Sequence, residues 1–256
     1  MVQWLALSNW AARTLAIPGV KATWNFGTKK WRRGRFKRVF GSTASEYFIA
    51  FASLEINPAI QQIARSTDAK LGEFPLVKPS RPDLAFKAQK VVSGCELRAL
   101  SYLGSSLVSN GGMEVKVVAD EEISNKLDVD CVSLGAMSNL KTRDVFSNPA
   151  NRLAEYSYGP SFFLSKKDGK ALCPIQPGFD YGIILKIHPS QFPGRTWIAC
   201  AGIGEWGTSG ASWFLANKWK EIAKRVKQTE QFVCVFEVMP GQDESARLYH
   251  FRQTDN

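Results

Sequence analysis

The sequence predicts an α/β fold in which a mixed, mainly parallel sheet carries helices on both faces. Strand and helix patterns alternate regularly from about residue 45 onward, as in β-α-β units. The chain of 256 residues is 45% hydrophobic and 22% charged, so it can bury a sizeable core and is neither disordered nor collagen-like. No linker rich in Pro or Gly divides it, and we predict one domain at 41–256 preceded by an arm at 1–40.

The first elements of the domain are a strand and a well-defined helix. EYFIAFASLE (46–55) is rich in aromatic and apolar residues, which is typical of a buried strand. The helix at 93–112 begins with a capping box of Ser93 and Glu96, and Asn-Gly-Gly ends it. The remaining predicted strands of the sheet are 113–120, 129–135, 181–187, 195–202 and 231–238. Because 181–187 and 195–202 are joined by a short segment, we expect these two strands to be antiparallel.

The net charge of +10 is concentrated in the N-terminal arm. Residues 1–40 contain nine basic side chains and no acidic one, whereas the rest of the chain is nearly balanced. A predicted helix with Trp4 and Trp10 precedes the cations, and aromatic residues are interleaved with them. The residues that we expect to contact a membrane or a nucleic acid are Trp4, Trp10, Lys29, Lys30, Arg32, Arg33, Arg35, Lys37 and Arg38.

Three interpretations of the arm are open. A tryptophan-bearing helix followed by a polybasic stretch can hold a peripheral protein on an anionic membrane. Cations interleaved with aromatic rings also suit a nucleic acid, since phosphates are neutralised while bases stack. The arm can instead dock on a protein partner or on the domain itself. The membrane interpretation requires the helix before the charges, whereas the nucleic-acid interpretation leaves that helix unexplained, so we predict a cytoplasmic protein that is peripheral to a membrane.

Cysteine and histidine usage argues against metal or disulfide chemistry. The five cysteines show no C-x-x-C spacing, and three of them lie within apolar strand patterns. We therefore predict buried free thiols in a reducing compartment. Only two histidines occur, so we predict no metal site, and no cofactor is indicated.

A first candidate ligand segment, CVSLGAMSNLKT, follows the strand predicted at 129–135. It offers Gly135, Ser138, Asn139 and Thr142 at the carboxyl end of that strand, where open α/β sheets bind their ligands. A capped turn built around Asn139 is an equal alternative.

A second candidate segment, ACAGIGEWGTSGASWFL, lies between a strand and an amphipathic helix. Its ligand-binding candidates are Gly202, Gly204, Gly207, Thr208 and Ser209. Glycines permit close backbone approach, and hydroxyl groups at a helix start add donors, which together suit a phosphate or carboxylate. The alternative is a tight turn in which glycine relieves crowding and a hydroxyl caps the helix.

The turn GIGEWGT resembles the glycine-rich turn of LOG/Rossmann-like nucleotide-processing proteins. Gly204, Gly207 and Thr208 match the G-x-x-G-T core of that family, whereas Glu205 replaces a glycine and Ala211 stands where the family has a catalytic glutamate. The resemblance implies a Rossmann-like three-layer sandwich and a nucleotide or similar phosphorylated ligand. It also implies relatives that act as sensors or effectors in prokaryotic defence, while the missing glutamate speaks against hydrolysis.

Two acidic residues are candidates for chemistry. Asp120 ends a predicted strand, and Glu205 lies within the glycine-rich turn, where it can act as a general acid or base if water is excluded. The sequence leaves three functional classes open: a nucleotide sensor, a nucleotide N-glycosidase or phosphoribohydrolase, and a nucleic-acid-binding protein that acts through its basic arm.

Overall fold

The computed structural model describes residues 31–41, 46–55, 90–124, 126–157 and 162–254. These residues form an α/β fold around a seven-stranded sheet. The strands are β1 (Glu46–Phe51), β2 (Leu54–Glu55), β3 (Lys90–Val91), β4 (Glu114–Ala119), β5 (Cys131–Leu134), β6 (Ala154–Tyr156), β7 (Phe163–Ser165), β8 (Asp180–Ile187), β9 (Trp197–Gly202), β10 (Phe232–Val238) and β11 (Arg247–Gln253). The helices are α1 (31–40), α2 (Gly94–Ser106), α3 (Asp120–Ile123), α4 (Leu140–Ser147), α5 (Glu205–Asn217) and α6 (Trp219–Ala223).

The main sheet has a parallel half and an antiparallel half. Its strand order is β11-β10-β8-β9-β5-β1-β4. Strands β4, β1, β5 and β9 are parallel to one another, whereas β9, β8, β10 and β11 pair in antiparallel fashion. The prediction of a mainly parallel sheet is therefore wrong, because the antiparallel ladders join more residue pairs than the parallel ones. The structure confirms the predicted antiparallel pairing of β8 with β9. The pairing is antiparallel because residues 188–196 are too few for a crossover connection.

Both faces of the sheet are covered. One hydrophobic cluster packs α1, α2, α5 and α6 on one face, and a second packs α4 and the β6–β7 hairpin on the other. In β10, Phe232 and Phe236 belong to the first cluster while Val233 and Val235 belong to the second. A strand buried on both faces explains why FVCVFEV is a continuous apolar run rather than an alternating one.

Helix α2 lies where the sequence predicts it. Ser93 is the N-cap, and its Oγ accepts a hydrogen bond from the Glu96 N–H at 3.4 Å. A π-helical turn at Leu107–Gly111 follows, and Gly112, with a φ of +67°, closes it. The buried side chains include Ala99 and Leu103, whereas Leu97 points outward and is 57% exposed.

Helix α1 is packed into the core of the domain. Phe36, Val39 and Phe40 are fully buried, and the rings of Phe36 and Phe40 stack with centroids 4.2 Å apart. The Lys186 ammonium donates to the Arg38 carbonyl at 2.9 Å, which satisfies a free carbonyl at the end of the helix. Residues 31–41 are thus part of the domain, although the sequence analysis assigns most of them to a separate arm. Trp4, Trp10, Lys29 and Lys30 lie outside the described residues.

The five cysteines are buried and free, which confirms the prediction of buried free thiols. Burial raises the pKa of the Cys131 and Cys200 thiols to about 12 and that of Cys173 to about 11. A protonated thiol is a poor nucleophile and metal ligand, so these cysteines act as small core residues. Within the described ranges, no helix has the length and apolar character needed to cross a membrane.

Candidate functional site

The strands of the parallel half define one edge of the sheet, which we call the carboxyl edge. Strands β1, β4, β5 and β9 end there, and α2, α4 and α5 begin there. The chain after β1 leads to α2 on one face, and the chain after β5 leads to α4 on the other face. The ends of β1 and β5 therefore flank a topological switch point, the position at which open α/β sheets bind ligands. We call this part of the carboxyl edge the switch crevice.

Asn139 forms the base of the switch crevice. Its Nδ2 donates to the carbonyl of Ala50 at 3.1 Å and to that of Leu134 at 2.8 Å, which joins the ends of β1 and β5. Its Oδ1 accepts from the Thr142 N–H at 3.1 Å and caps α4. Thr142 donates its hydroxyl to the Gly135 carbonyl at 2.9 Å. Asn139 and Thr142, which the sequence predicts as ligand contacts, are both fully buried. Their positions agree with the alternative, a capped turn built around Asn139.

Asp120 lies at one side of the switch crevice. Its Oδ1 accepts from the N–H groups of Ser53 at 3.2 Å and Glu121 at 3.1 Å, and its Oδ2 accepts from the Leu140 N–H at 2.7 Å. The carboxylate thus ties the chain after β1 to the start of α4. The sequence predicts a catalytic acid at Asp120, and in the structure both of its carboxylate oxygens accept hydrogen bonds from backbone N–H groups.

Glu96 is the buried acid of the switch crevice, and the sequence analysis treats it only as a helix cap. Its side chain is enclosed, since the residue is 3% exposed, and a Cβ at Gly135 would lie 2.5 Å from its Oε1. Among the described residues, its Oε2 has no hydrogen-bond partner. Gly135 has a φ of +89°, a conformation that favours glycine and that allows this close approach.

The environment of Glu96 favours its protonated form. Burial raises the pKa of Glu96 from its ordinary value of 4.5 to about 7, and the negative charge of Asp120 adds to this effect. Hydrogen bonds with the Ala52 backbone and with Ser93 oppose the rise in pKa without cancelling it. A carboxyl group that titrates near neutrality can donate or accept a proton under ordinary conditions.

The turn after β5 forms the exposed rim of the crevice. Ser138 is exposed, and Arg143 folds back so that its Nε donates to the Met137 carbonyl. A hydroxyl group and a guanidinium group therefore stand on the same turn as Gly135, which contacts Glu96. This rim is the part of the carboxyl edge where the described side chains offer donors to an anion.

The glycine-rich turn at 202–209 already holds an anion, the side chain of Asp180. Asp180 Oδ1 accepts from the Gly204 N–H at 2.9 Å, and Oδ2 accepts from the Gly207 N–H at 2.7 Å. Asp180 begins the antiparallel strand β8, whose reversed direction brings it to the N-terminus of α5. The donors that the sequence assigns to a ligand phosphate are used within the chain.

Close packing explains the glycines of this turn. A Cβ at Gly207 would lie 2.1 Å from the Tyr181 carbonyl oxygen, and a Cβ at Gly202 would lie 2.3 Å from the Thr208 backbone nitrogen. Helix α5 can therefore rest on β8 and β9 only because these positions lack side chains. The geometry agrees with the alternative that glycine relieves crowding.

Both hydroxyl residues of the turn are buried, and Ser209 belongs to an internal hydrogen-bond network. Thr208 and Ser209 are 3% and 0% exposed. Ser209 donates to Asp243 Oδ1 and accepts from Arg98 at 3.1 Å, while Arg98 Nε and the Tyr102 hydroxyl both donate to Asp243 Oδ2 at 3.0 Å. This network joins α2, α5 and the segment after β10. Ser209 is therefore a structural residue of the carboxyl edge.

Glu205 lies at the carboxyl edge as predicted, at the first position of α5. It is exposed, and its negative charge adds to the effect of burial, which is the main cause of the raised pKa of the nearby Cys95 thiol. The sequence analysis requires a dry environment for Glu205 to act as an acid or base. Glu96, which is buried at the same edge, meets that requirement better.

A separate cavity of about 510 Å³ lies between α5, α6 and β11. Aromatic rings of Trp213, Tyr249 and Phe251 line it together with charged side chains of both signs. It contains none of the predicted site residues. None of its lining side chains carries a buried polar atom without a partner, so the switch crevice is the stronger candidate.

The described residues contain no group of three His, Cys, Asp or Glu side chains arranged to hold a metal ion. Comparisons with protein-family models, with curated proteins and with solved structures found no match to this chain. The resemblance of the glycine-rich turn to nucleotide-processing proteins therefore stays a prediction. The geometry of the switch crevice alone therefore defines the candidate site.

Proposed function

We propose that this domain binds a nucleotide, or a similar phosphorylated small molecule, in the switch crevice. The observation that carries the proposal is Glu96, a buried carboxyl group with an unpartnered oxygen at the switch point between β1 and β5. An unsatisfied buried oxygen costs free energy unless a ligand or water completes its hydrogen bonds. A hydroxyl or amino group of a ligand would supply the missing donor.

The distribution of charge orients the proposed ligand. The negative charge of Asp120, and that of Glu96 when it is ionised, repel phosphate, so the sugar hydroxyls are placed against Glu96. The phosphate is placed on the rim, where Ser138 and Arg143 offer a hydroxyl and a guanidinium. This orientation moves the proposed anion site away from the glycine-rich turn, because Asp180 fills that position.

The Rossmann-like three-layer sandwich is part of the same proposal. It is supported by the four parallel strands β4-β1-β5-β9 and by helices on both faces of the sheet. The antiparallel half is then an extension that supplies Asp180 to the neighbouring helix.

A second candidate function is hydrolysis or transfer at the N-glycosidic bond of the same ligand. It is favoured by the raised pKa of Glu96, which suits a general acid that protonates a leaving base at neutral pH. In this case Glu96 takes the role that the sequence analysis gives to Glu205 or Asp120.

The test compares Glu96→Gln with Glu205→Gln in binding and turnover assays over a panel of nucleotides that includes NAD. Both changes remove one carboxylate at the carboxyl edge, but only Glu96 lies inside the crevice. For a binding protein, Glu96→Gln and Arg143→Gln should each weaken nucleotide binding by about tenfold, while Glu205→Gln leaves it unchanged. For an enzyme, Glu96→Gln should reduce release of the free base by about 100-fold with binding retained.

Two results would contradict the proposal. One is wild-type protein that binds no member of the panel and yields no nucleotide when the purified protein is denatured and analysed by mass spectrometry. The other is a loss of binding in Glu205→Gln that equals the loss in Glu96→Gln.

A further inference from the structure

Helices α1 and α6 form one continuous surface on the molecule. The Arg38 guanidinium donates to the Ala223 carbonyl at 3.5 Å, and the Phe36 ring meets the Trp219 ring edge-on with centroids 5.1 Å apart. Helix α1 ends at Gly41, which packs on Thr196 just before β9 begins, so this surface lies at the end of the sheet opposite the carboxyl edge. It is separate from the switch crevice.

Cations dominate this surface, which we call the basic surface. Its exposed cations are Arg32, Arg33, Arg38, Lys220, Lys224 and Arg225, and they outnumber the one acidic side chain exposed on α6, Glu221. Among the described residues none of the six forms an ion pair, whereas Arg98, Lys116, Arg195 and Arg247 each contact a carboxylate. Where the six have described partners, these are neutral, as in the hydrogen bond from Arg32 to the Asn110 side chain. The positive charge of the surface is therefore left for an external anion.

The cations of α1 are held on a fixed support. Phe36, Val39 and Phe40 anchor the helix in the core, and Lys186 bonds to its last turn. An arginine on an anchored helix loses less conformational entropy on binding than one on a free tail. The basic residues of 31–40 are evident in the sequence. Lys220 and Lys224 are remote from them in the chain, and only the fold brings these lysines to the same surface.

We infer that the basic surface binds the phosphate backbone of a nucleic acid. An interfacial membrane helix inserts its apolar face into lipid, but α1 buries Phe36, Val39 and Phe40 within the domain. What α1 presents outward is arginine together with Trp31, which is 64% exposed and has the Arg35 guanidinium 4.7 Å from its ring centroid. Arginine forks match phosphate oxygens, and an exposed ring can stack on a base.

The experiment measures binding of the full chain to a fluorescent single-stranded oligonucleotide of about 20 nucleotides, longer than a typical single-strand site, over a series of salt concentrations. The test variant is Lys220→Glu with Lys224→Glu, two exposed positions on α6 and just after it. The matched control is Lys167→Glu with Lys170→Glu, two exposed lysines next to the β6–β7 hairpin on the other face. Both pairs change the net charge equally.

We expect the α6 pair to weaken binding at least about tenfold and to reduce the slope of log affinity against log salt by about 1 to 2, because two phosphate contacts are lost. The hairpin pair should keep the wild-type slope. Lys220→Gln with Lys224→Gln repeats the measurement with a milder change if the charge reversal prevents folding.

Equal losses in the α6 and hairpin pairs would overturn the inference, since net charge alone would then explain the binding. Absence of oligonucleotide binding by the wild type, with cosedimentation on vesicles of anionic phosphatidylserine instead, would overturn it in favour of a membrane.

Discussion

The two strand-to-helix turns at the carboxyl edge look alike in sequence and differ in structure. Both follow a parallel strand, both contain glycine, and both place hydroxyl residues near a helix start. In the turn after β9, Asp180 takes the backbone donors of Gly204 and Gly207. In the turn after β5, Gly135 lies against Glu96, whose Oε2 lacks a partner among the described residues. The glycine-richer turn is thus the one that is internally satisfied, and the density of glycine is a poor guide to the ligand site.

The largest effect is expected at Gly207, in the satisfied turn. In Gly207→Ala the new Cβ would overlap the Tyr181 carbonyl, so α5 must move off the sheet. We expect a loss of about 3 kcal/mol or more in the free energy of unfolding, measured by urea denaturation. Gly194→Ala is the control, because a Cβ there meets nothing within 4 Å. A stable Gly207→Ala variant would show that close packing does not require this glycine.

A pH-dependent effect is expected at Glu96 of α2, which packs against the turn after β5. Its pKa is about 7 in the folded protein and about 4.5 when unfolded, so the folded state binds more protons between these values. The stability that this group contributes is complete below pH 4.5 and is lost as the pH rises through 7. Glu96→Gln should therefore gain about 1 to 3 kcal/mol relative to wild type at pH 8, and much less at pH 4.5.

Urea denaturation at several pH values checks this prediction, with Glu205→Gln as the exposed control. A difference between Glu96→Gln and wild type that is the same at pH 4.5 and pH 8 would contradict a raised pKa for Glu96.

An intermediate effect is expected when the internal anion is removed. Asp180→Ala leaves two N–H groups at the start of α5 without their acceptor, which should cost about 1 to 2 kcal/mol of stability. The vacated position should then accept inorganic phosphate, so phosphate should raise the melting temperature of the variant more than that of wild type. A variant that phosphate does not stabilise would show that the turn cannot serve as an anion cradle.

The smallest effect is expected at Thr142, in the first turn of α4, whose hydroxyl bonds to the turn after β5. Thr142→Val keeps the shape of the side chain and removes the hydrogen bonds to Gly135 and Ser133, both at 2.9 Å. We expect a loss of about 1 kcal/mol in the free energy of unfolding. Because Thr142 is buried, ligand affinity should fall only as far as the turn is displaced. A loss of ligand affinity without a loss of stability would instead indicate that Thr142 contacts the ligand.

The sequence is informative about local structure and less so about the site. The cap at Ser93, the stop at Gly112 and the strands β8, β9 and β10 follow from patterns within a few residues, and the structure confirms them. Strand β11 is not among the predicted strands, because an edge strand with polar residues lacks the apolar run of a buried strand.

The roles of Asp180 and Glu96 depend on partners that are distant in the chain. Asp180 meets Gly204 and Gly207 only because β8 runs antiparallel to β9, and no local pattern encodes that contact. Glu96 has the spacing of a capping box, and this local role explains the residue without reference to a ligand. Its burial against Gly135 comes from the packing of α2 over the end of β5.

The division of the sheet into two halves also orders the events of folding. In the antiparallel half, β8 joins β9 through residues 188–196 and β10 joins β11 through 239–246, so these pairs are local hairpins. In the parallel half, β1 meets β4 only after the chain closes over residues 52–113. Closing a long loop is the slower event, so we expect the hairpins to assemble first and the walls of the switch crevice last. A ligand in the crevice would then chiefly slow the first step of unfolding.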